Sequence, residues 1–201
     1  MKMKKTLAVA LLAAVTAPSL AADFGFYAGV NLGQSRSGNP YPAVSQTKSS
    51  DTALGVLVGY QFNANWGVEG FYTDAGKFEG TYSSGGVATD GRMFGKTRIL
   101  GIAAVGTLPV SDALSLYAKL GYAQAKSGVS WVDPTGSGTL DGTRNAASFG
   151  LGGAWKVTPT AAVRLGWDRY GAAAKDTNDG VNFFSMNYNV NVYSLGATFK
   201  F

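Results

Sequence analysis

The sequence predicts an all-β fold: an eight-stranded antiparallel up-and-down transmembrane β-barrel, preceded by a cleavable signal peptide. Three observations carry this expectation. Eight segments alternate apolar and polar residues with a period of two, which sends successive side chains to opposite faces of a strand. The connections between them alternate between long polar stretches and turns of about three or four residues, as in barrels with a loop end and a turn end. After the leader, no apolar run reaches the length of about 18 residues that a membrane helix needs. A chain of this kind crosses lipid only as a closed barrel, where every backbone group is paired.

Lys2, Lys4 and Lys5 open the chain, an apolar run follows from Thr6 to Val15, and Ser19-Leu20-Ala21 supplies small residues. This is the pattern of a secretory leader, with cleavage expected after Ala21, and the apolar run is too short to span a bilayer. The expected organisation is a signal peptide, residues 1–21, and one barrel domain, residues 22–201. The chain has 17 basic and 12 acidic residues; without the three leader lysines, fourteen face twelve, and no basic cluster remains to suggest nucleic acid. It has no Cys, hence neither a disulfide framework nor a thiolate metal site.

The first strand, Phe24 to Gln34, sets Phe24, Phe26, Ala28, Val30 and Leu32 against Gly25, Tyr27, Gly29, Asn31 and Gly33. Ser35 to Ser50 reads as a polar loop with Gly38, Pro40 and Pro42 as breakers. The second strand sets Leu54, Val56, Val58, Tyr60 and Phe62 against Gly55, Leu57, Gly59 and Gln61. A turn, Asn63-Ala64-Asn65, leads to the third, with Trp66, Val68, Gly70 and Tyr72 opposite Gly67, Glu69, Phe71 and Thr73. Phe71 breaks the alternation there. A second long loop is expected over 78–92. The fourth strand, about Met93 to Leu108, has a nearly continuous apolar centre from Ile99 to Val105, so its pattern leaves its facing open.

Pro109 to Asp112 reads as a turn. The fifth strand sets Leu114, Leu116, Ala118, Leu120 and Tyr122 against Ser115, Tyr117, Lys119, Gly121 and Ala123. A third loop is expected from Lys126 to Arg144. The sixth strand sets Ala147, Phe149, Leu151, Gly153, Trp155 and Val157 against Ser148, Gly150, Gly152, Ala154 and Lys156. After the turn Thr158-Pro159-Thr160, the seventh sets Ala161, Val163, Leu165 and Trp167 against Ala162, Arg164, Gly166, Asp168 and Tyr170. Lys175 to Asn187 is the fourth expected loop. The last strand sets Tyr193, Leu195, Ala197, Phe199 and Phe201 against Ser194, Gly196, Thr198 and Lys200.

Alternation alone does not say which face points outward, since a soluble barrel with an apolar core has the same period. The polar face here is rich in Gly, Ala and Ser, which suits the crowded interior of an eight-stranded barrel. Aromatics of the apolar face (Tyr60, Phe62, Trp66, Tyr122, Trp155, Phe199, Phe201) gather near strand ends, as interfacial girdles do. The apolar face is therefore expected against lipid. Glu69, Lys119, Arg164 and Asp168 then point inward and form a mixed-sign network, because charges inside a barrel must be paired. Such a network serves as a plug, or as a gate whose exchange of partners opens a narrow path. Lys156 and Lys200 lie near the turn end, and Lys96 and Arg98 join the inner charges if the fourth strand turns its even-numbered residues inward.

The chain resembles the OmpA-like or OmpX-like eight-stranded outer-membrane barrels. The resemblance rests on Phe24-Gly-Phe-Tyr-Ala-Gly-Val-Asn-Leu-Gly33, Leu54-Gly-Val-Leu-Val-Gly-Tyr-Gln-Phe62, Trp66-Gly-Val-Glu-Gly-Phe-Tyr72, Leu116-Tyr-Ala-Lys-Leu-Gly121 and the terminal Phe201. It implies an integral, monomeric protein of the bacterial outer membrane, partnered by the bilayer and lipopolysaccharide. It also implies that the last strand, with Tyr193, Leu195, Phe199 and Phe201, is the signal read by the barrel assembly machinery. Members of the family stabilise the envelope, form narrow porin-like pores, or contact host and matrix ligands through their loops. OmpA itself carries a periplasmic peptidoglycan-binding domain; this chain ends with the barrel, so that role is not expected.

The resemblance implies that catalytic outer-membrane barrels depend on a His, the usual base at neutral pH. This chain has none and no G-x-S-x-G element, so no enzymatic activity and no cofactor are expected. Gly150-Leu-Gly-Gly153 lies within a strand with no following helix and is not a phosphate cradle. Asp133, Asp141, Asp176 and Asp179 are scattered loop acids, read as solvated. The expected role is structural, with at most a narrow gated pore. The alternative is a surface adhesin acting through the four long loops, with Tyr41, Tyr82, Trp131, Phe183 and Phe184 as contact candidates.

Overall fold

The computed structural model describes residues 24–38, 45–84, 87–134, 136–178 and 181–201. The expected leader lies outside them. The strands are β1 (Gly25–Ser37), β2 (Ser45–Lys48), β3 (Ser50–Gln61), β4 (Trp66–Ser84), β5 (Val87–Pro109), β6 (Leu114–Asp133), β7 (Gly136–Lys156), β8 (Ala161–Asn178) and β9 (Val181–Lys200). All pairings are antiparallel. β1 pairs with both β3 and β9, and β4 with β5, so the eight wall strands β1 and β3 to β9 close on themselves without a free edge.

The three short turns share one device. Asn63 Oδ1 accepts the N–H groups of Asn65 and Trp66, each at 2.9 Å. Ser111 Oγ accepts the Leu114 N–H at 3.1 Å, and Thr158 Oγ1 the Ala161 N–H at 2.9 Å. A polar side chain that caps its own backbone fixes a tight reversal, so these segments end one strand and start the next.

The long polar stretches differ from expectation. Instead of a loop over 78–92, β4 and β5 pair from Phe78↔Gly95 to Ser84↔Val87. β6 and β7 pair from Lys126↔Thr143 to Asp133↔Gly136, across the third expected loop. β8 and β9 pair as far as Asn178↔Val181, and in the first long stretch β1 runs to Ser37 while β2 pairs with β4. Polarity and glycine mark these stretches as loops, yet most of their described residues are strand.

The physical reason is an inversion of the apolar face. Where the barrel meets lipid, apolar residues point out. Where it rises into water, the outside turns polar and the inside apolar. On β5 the switch falls between adjacent residues: Ile99 is 0% exposed and faces inward, whereas Leu100 is 59% exposed and faces outward. On β9 it falls between inward Val192 and outward Tyr193, and on β4 Phe71 packs against the inner core while Tyr72 faces out. The inner layer above the switch contains Phe78, Met93, Ile99, Ala123, Ala125, Val129, Tyr188, Val190 and Val192. Its polar groups satisfy one another: Tyr188 Oη lies 2.8 Å from both Thr97 Oγ1 and Ser127 Oγ.

The outward band below the switch carries Val30, Leu32, Leu54, Val58, Leu120, Leu151 and Leu165, all exposed, with Phe26, Phe62, Trp66 and Trp155 toward the turn end. Exposed large side chains in one continuous belt identify a lipid-facing surface.

Candidate functional site

The inward face below the apolar layer holds four charged residues from three strands: Glu69 (β4), Lys119 (β6), Arg164 and Asp168 (β8). Arg164 Nη1 lies 2.5 Å from Glu69 Oε1. Lys119 Nζ lies 2.6 Å from Asp168 Oδ1 and 4.0 Å from Glu69 Oε2. Two acids thus face two bases. Glu69 is 1% exposed, and its Oε2 accepts no hydrogen bond, leaving Lys119 within reach of a second carboxylate.

Glycine and tyrosine build this network; the sequence marks Gly150 only as part of a glycine-rich strand and assigns Tyr27 and Tyr117 no role. Lys119, Gly150 and Asp168 are register partners on β6, β7 and β8. A Cβ on Gly150 would stand 2.2 Å from Asp168 Oδ1 and 3.0 Å from Lys119 Cε, so only glycine lets the two side chains meet across the middle strand. Tyr27, Gly59 and Glu69 repeat the arrangement on β1, β3 and β4, with Tyr27 Oη donating to Glu69 Oε1 at 3.0 Å. Tyr117 crosses Gly152 and donates to the Leu165 carbonyl at 3.3 Å. Its ring lies 4.2 Å from the Arg164 guanidinium carbon, a stacked cation on an aromatic face.

The network separates two spaces. Toward the turns lies a cavity of about 360 Å³, lined by Gln61, Glu69, Tyr117, Lys156, Arg164 and Lys200 among others. It is bordered by the turn residues Ala64, Ser111 and Pro159. On the opposite side Lys119 and Asp168 border a gap of about 20 Å³, together with Phe71, Tyr170 and Val192. The apolar inner layer begins there.

Lys96 and Arg98 do not join the inner charges. β5 turns its even-numbered residues outward, and both bases meet Asp74 on the outer wall, at 2.9 Å for Lys96 and 3.9 Å for Arg98. Ile99, on the inner apolar layer, sets that facing. Tyr193, Leu195 and Phe199 face outward and Phe201 is half-buried. The Phe201 N–H donates to the Phe26 carbonyl at 2.9 Å, which stitches the chain end to β1.

Of the loop candidates, Tyr41 lies outside the described residues, as do the side chains of Tyr82, Phe183 and Phe184. Trp131 is half-buried on β6, its ring over Gly138 of the paired β7. Among the described residues no group of three or more His, Cys, Asp or Glu could hold a metal ion.

Comparisons place this geometry among known proteins. The structure is similar to Neisserial surface protein A, NspA, with a TM-score of 0.55, 16% identity, and coverage of 88% of this chain and 97% of that one. It is similar to OprG from Pseudomonas aeruginosa, with a TM-score of 0.53, 15% identity, and coverage of 91% and 99%. It is also similar to Ail of Yersinia pestis, with a TM-score of 0.50, 15% identity, and coverage of 88% and 99%. At these identities the likeness is one of fold. No curated protein matches the chain. The family described as "Outer membrane protein beta-barrel domain" matches residues 7–201. A closed barrel with an outward apolar belt, matched over this length, belongs to the outer membrane protein β-barrel family and is an integral protein of the outer membrane.

Proposed function

We propose that the protein is a non-catalytic structural component of the envelope whose lumen is closed at rest. The observation that carries this is a double closure: the charge layer of Glu69, Lys119, Arg164 and Asp168, and directly above it the apolar layer of Ile99, Ala125, Val129 and Val190. An ion leaving the cavity at the turn end would have to break buried pairs and then cross a dry segment. Exchange of Lys119 from Asp168 to Glu69 opens only the first of these closures.

Planar-bilayer recording tests this reading. Wild type, Glu69→Ala and Lys119→Ala are each expected to show no sustained conductance, because the apolar layer remains in all three. Sustained channels in either variant but not in wild type would make the charge layer a gate and overturn the closed-barrel reading.

The last strand accounts for delivery in the same proposal. Its outward Tyr193, Leu195 and Phe199, with Phe201, lie on the strand that closes on β1, and they are the proposed assembly signal. Deleting Phe201 is expected to lower outer-membrane levels severalfold. It should shift the unfolding of already folded barrel only slightly, since one half-buried side chain and one hydrogen bond are lost. Normal membrane levels after the deletion would refute the assembly role.

A second reading, surface contact through the hairpins, is supported by the strand pairing that continues into them. β6 and β7 stay paired to Asp133↔Gly136, well above the outward Tyr122, so this hairpin is a projecting sheet. Ail is an attachment invasion locus protein solved with a heparin analogue. Trimming the β6–β7 hairpin above Gly128↔Asp141 should leave heat-modifiable folding intact. Unchanged binding to host cells or sulfated matrix after trimming would remove this reading.

A further inference from the structure

We propose that the cavity at the turn end is a binding site for a small hydroxylated anion, a sugar carrying a carboxylate or a phosphate, held by one edge of the Arg164 guanidinium and by Lys156. Arg164 gives Glu69 a single nitrogen, Nη1, and its Nε and Nη2 make no hydrogen bond within the protein. Among the described residues, Glu69 Oε2 is the one buried side-chain polar atom without a hydrogen-bond partner, so Nε and Nη2 reach solvent. That solvent is in the turn-end cavity, which Arg164 borders; it does not border the gap beyond the charge layer. Nε and Nη2 form one edge of the planar fork, spaced to donate to two oxygens of a carboxylate or a phosphate. The edge is held in place. The Tyr117 ring lies 4.2 Å from the guanidinium carbon, and its hydroxyl is tied to the Leu165 carbonyl.

Charge and size select the ligand. Lys156 and Lys200, the last residues of β7 and β9, line the same cavity toward its mouth. Among the described residues no carboxylate ion-pairs with Lys156. The carboxylate in the lining, Glu69, already accepts from Arg164 and Tyr27. The recess is therefore positive, and its apolar surroundings strengthen the attraction of an anion. A volume of about 360 Å³ exceeds what a bare ion fills and falls at the lower end of ligand cavities, about 300 to 1,000 Å³. Thr107, Ser115, Thr160 and Thr198 add hydroxyls to the wall, each able to donate or accept toward a hydroxylated body. The site opens at the turns, so it stands whether or not the upper lumen conducts.

The test is calorimetric titration of the full chain, folded in detergent, with four probes: glucuronate, a glucose monophosphate, glucose and inorganic phosphate. Wild type is expected to bind the two anionic sugars saturably and glucose not at all. Arg164→Lys keeps a cation beside Glu69 but lacks the fork, and should weaken binding about tenfold. Lys156→Gln changes an exposed residue at a strand end, where folding is not at stake, and should weaken it severalfold. No saturable binding of either anionic sugar, glucose bound as tightly as they are, or undiminished binding in both variants would overturn the proposal. Inorganic phosphate bound as tightly as the anionic sugars would overturn the hydroxylated ligand. Position is read separately, on Thr198→Cys in the cavity wall: a saturating anionic sugar should slow its labelling by maleimide, and unslowed labelling would place the ligand elsewhere and contradict the site.

Discussion

Arg164→Ala should destabilise the folded barrel by about 3 to 5 kcal/mol, read as a drop in the urea midpoint of unfolding in detergent or vesicles. Glu69 is buried against this guanidinium, and the substitution leaves a carboxylate facing the lumen with only Tyr27 Oη donating to it and Lys119 at 4.0 Å. The ring of Tyr117 loses its stacked partner as well. Removing both charges with Glu69→Gln and Arg164→Met should restore most of the loss, since an uncharged pair of similar volume has no desolvation penalty to meet and the Lys119–Asp168 pair stays in place. A loss below about 1 kcal/mol in the single variant would mean that water reaches Glu69 and that the layer is not dry.

Val58→Arg should cost about 2 to 4 kcal/mol, the cost of a cation near the bilayer midplane on a barrel's lipid face. Val58 is the central outward residue of β3, between Val56 and Tyr60, and is 64% exposed in the isolated chain. On a protein surface facing water, the same substitution would shift stability by no more than about 0.5 kcal/mol. The unfolding midpoint in vesicles therefore reports what surrounds the belt. An effect as small as that of a surface mutation would contradict the lipid-facing assignment.

The lower half of the barrel was legible in the sequence because one rule governs it. On β1, β3, β8 and β9, outward apolar residues alternate with inward ones that are mostly small, polar or charged (Leu57 of β3 is the apolar exception), and the tight turns carry their own caps in Asn63, Ser111 and Thr158. The four inward charges followed from the same parity. The upper half was not legible, because the solvent outside the wall changes while the chain continues. At that boundary the apolar phase slips by one, placing Ile99 beside Leu100 and Val192 beside Tyr193. Period-two reading sees only a blurred apolar run there, and polar outward residues then pass for loop.

The site was half legible for a related reason. Charge marks a residue, but the glycine that makes room for it carries no signal alone. Gly59 and Gly150 acquire meaning only once register sets them between Tyr27 and Glu69 and between Lys119 and Asp168. The outward facing of Lys96 and Arg98 likewise depends on Ile99 belonging to the inner layer, a fact of packing across the lumen.

The proposed barrel has a wall whose apolar face inverts at the membrane rim and a lumen packed shut above the charge layer. A chain without cysteine allows this to be read directly. Single cysteines at Asn191, Val190, Val192, Leu195 and Thr198 of β9 would be treated with a membrane-impermeant maleimide in folded protein held in detergent and in vesicles. Asn191→Cys, outward above the belt, should label in both. Leu195→Cys, outward within the belt, and Val190→Cys and Val192→Cys, packed inside, should stay protected in both. Thr198→Cys, which borders the cavity at the turn end, should label when that end is accessible. Labelling of Val190→Cys and Val192→Cys as fast as that of Asn191→Cys would show an open, water-filled upper lumen and overturn the closed-barrel reading.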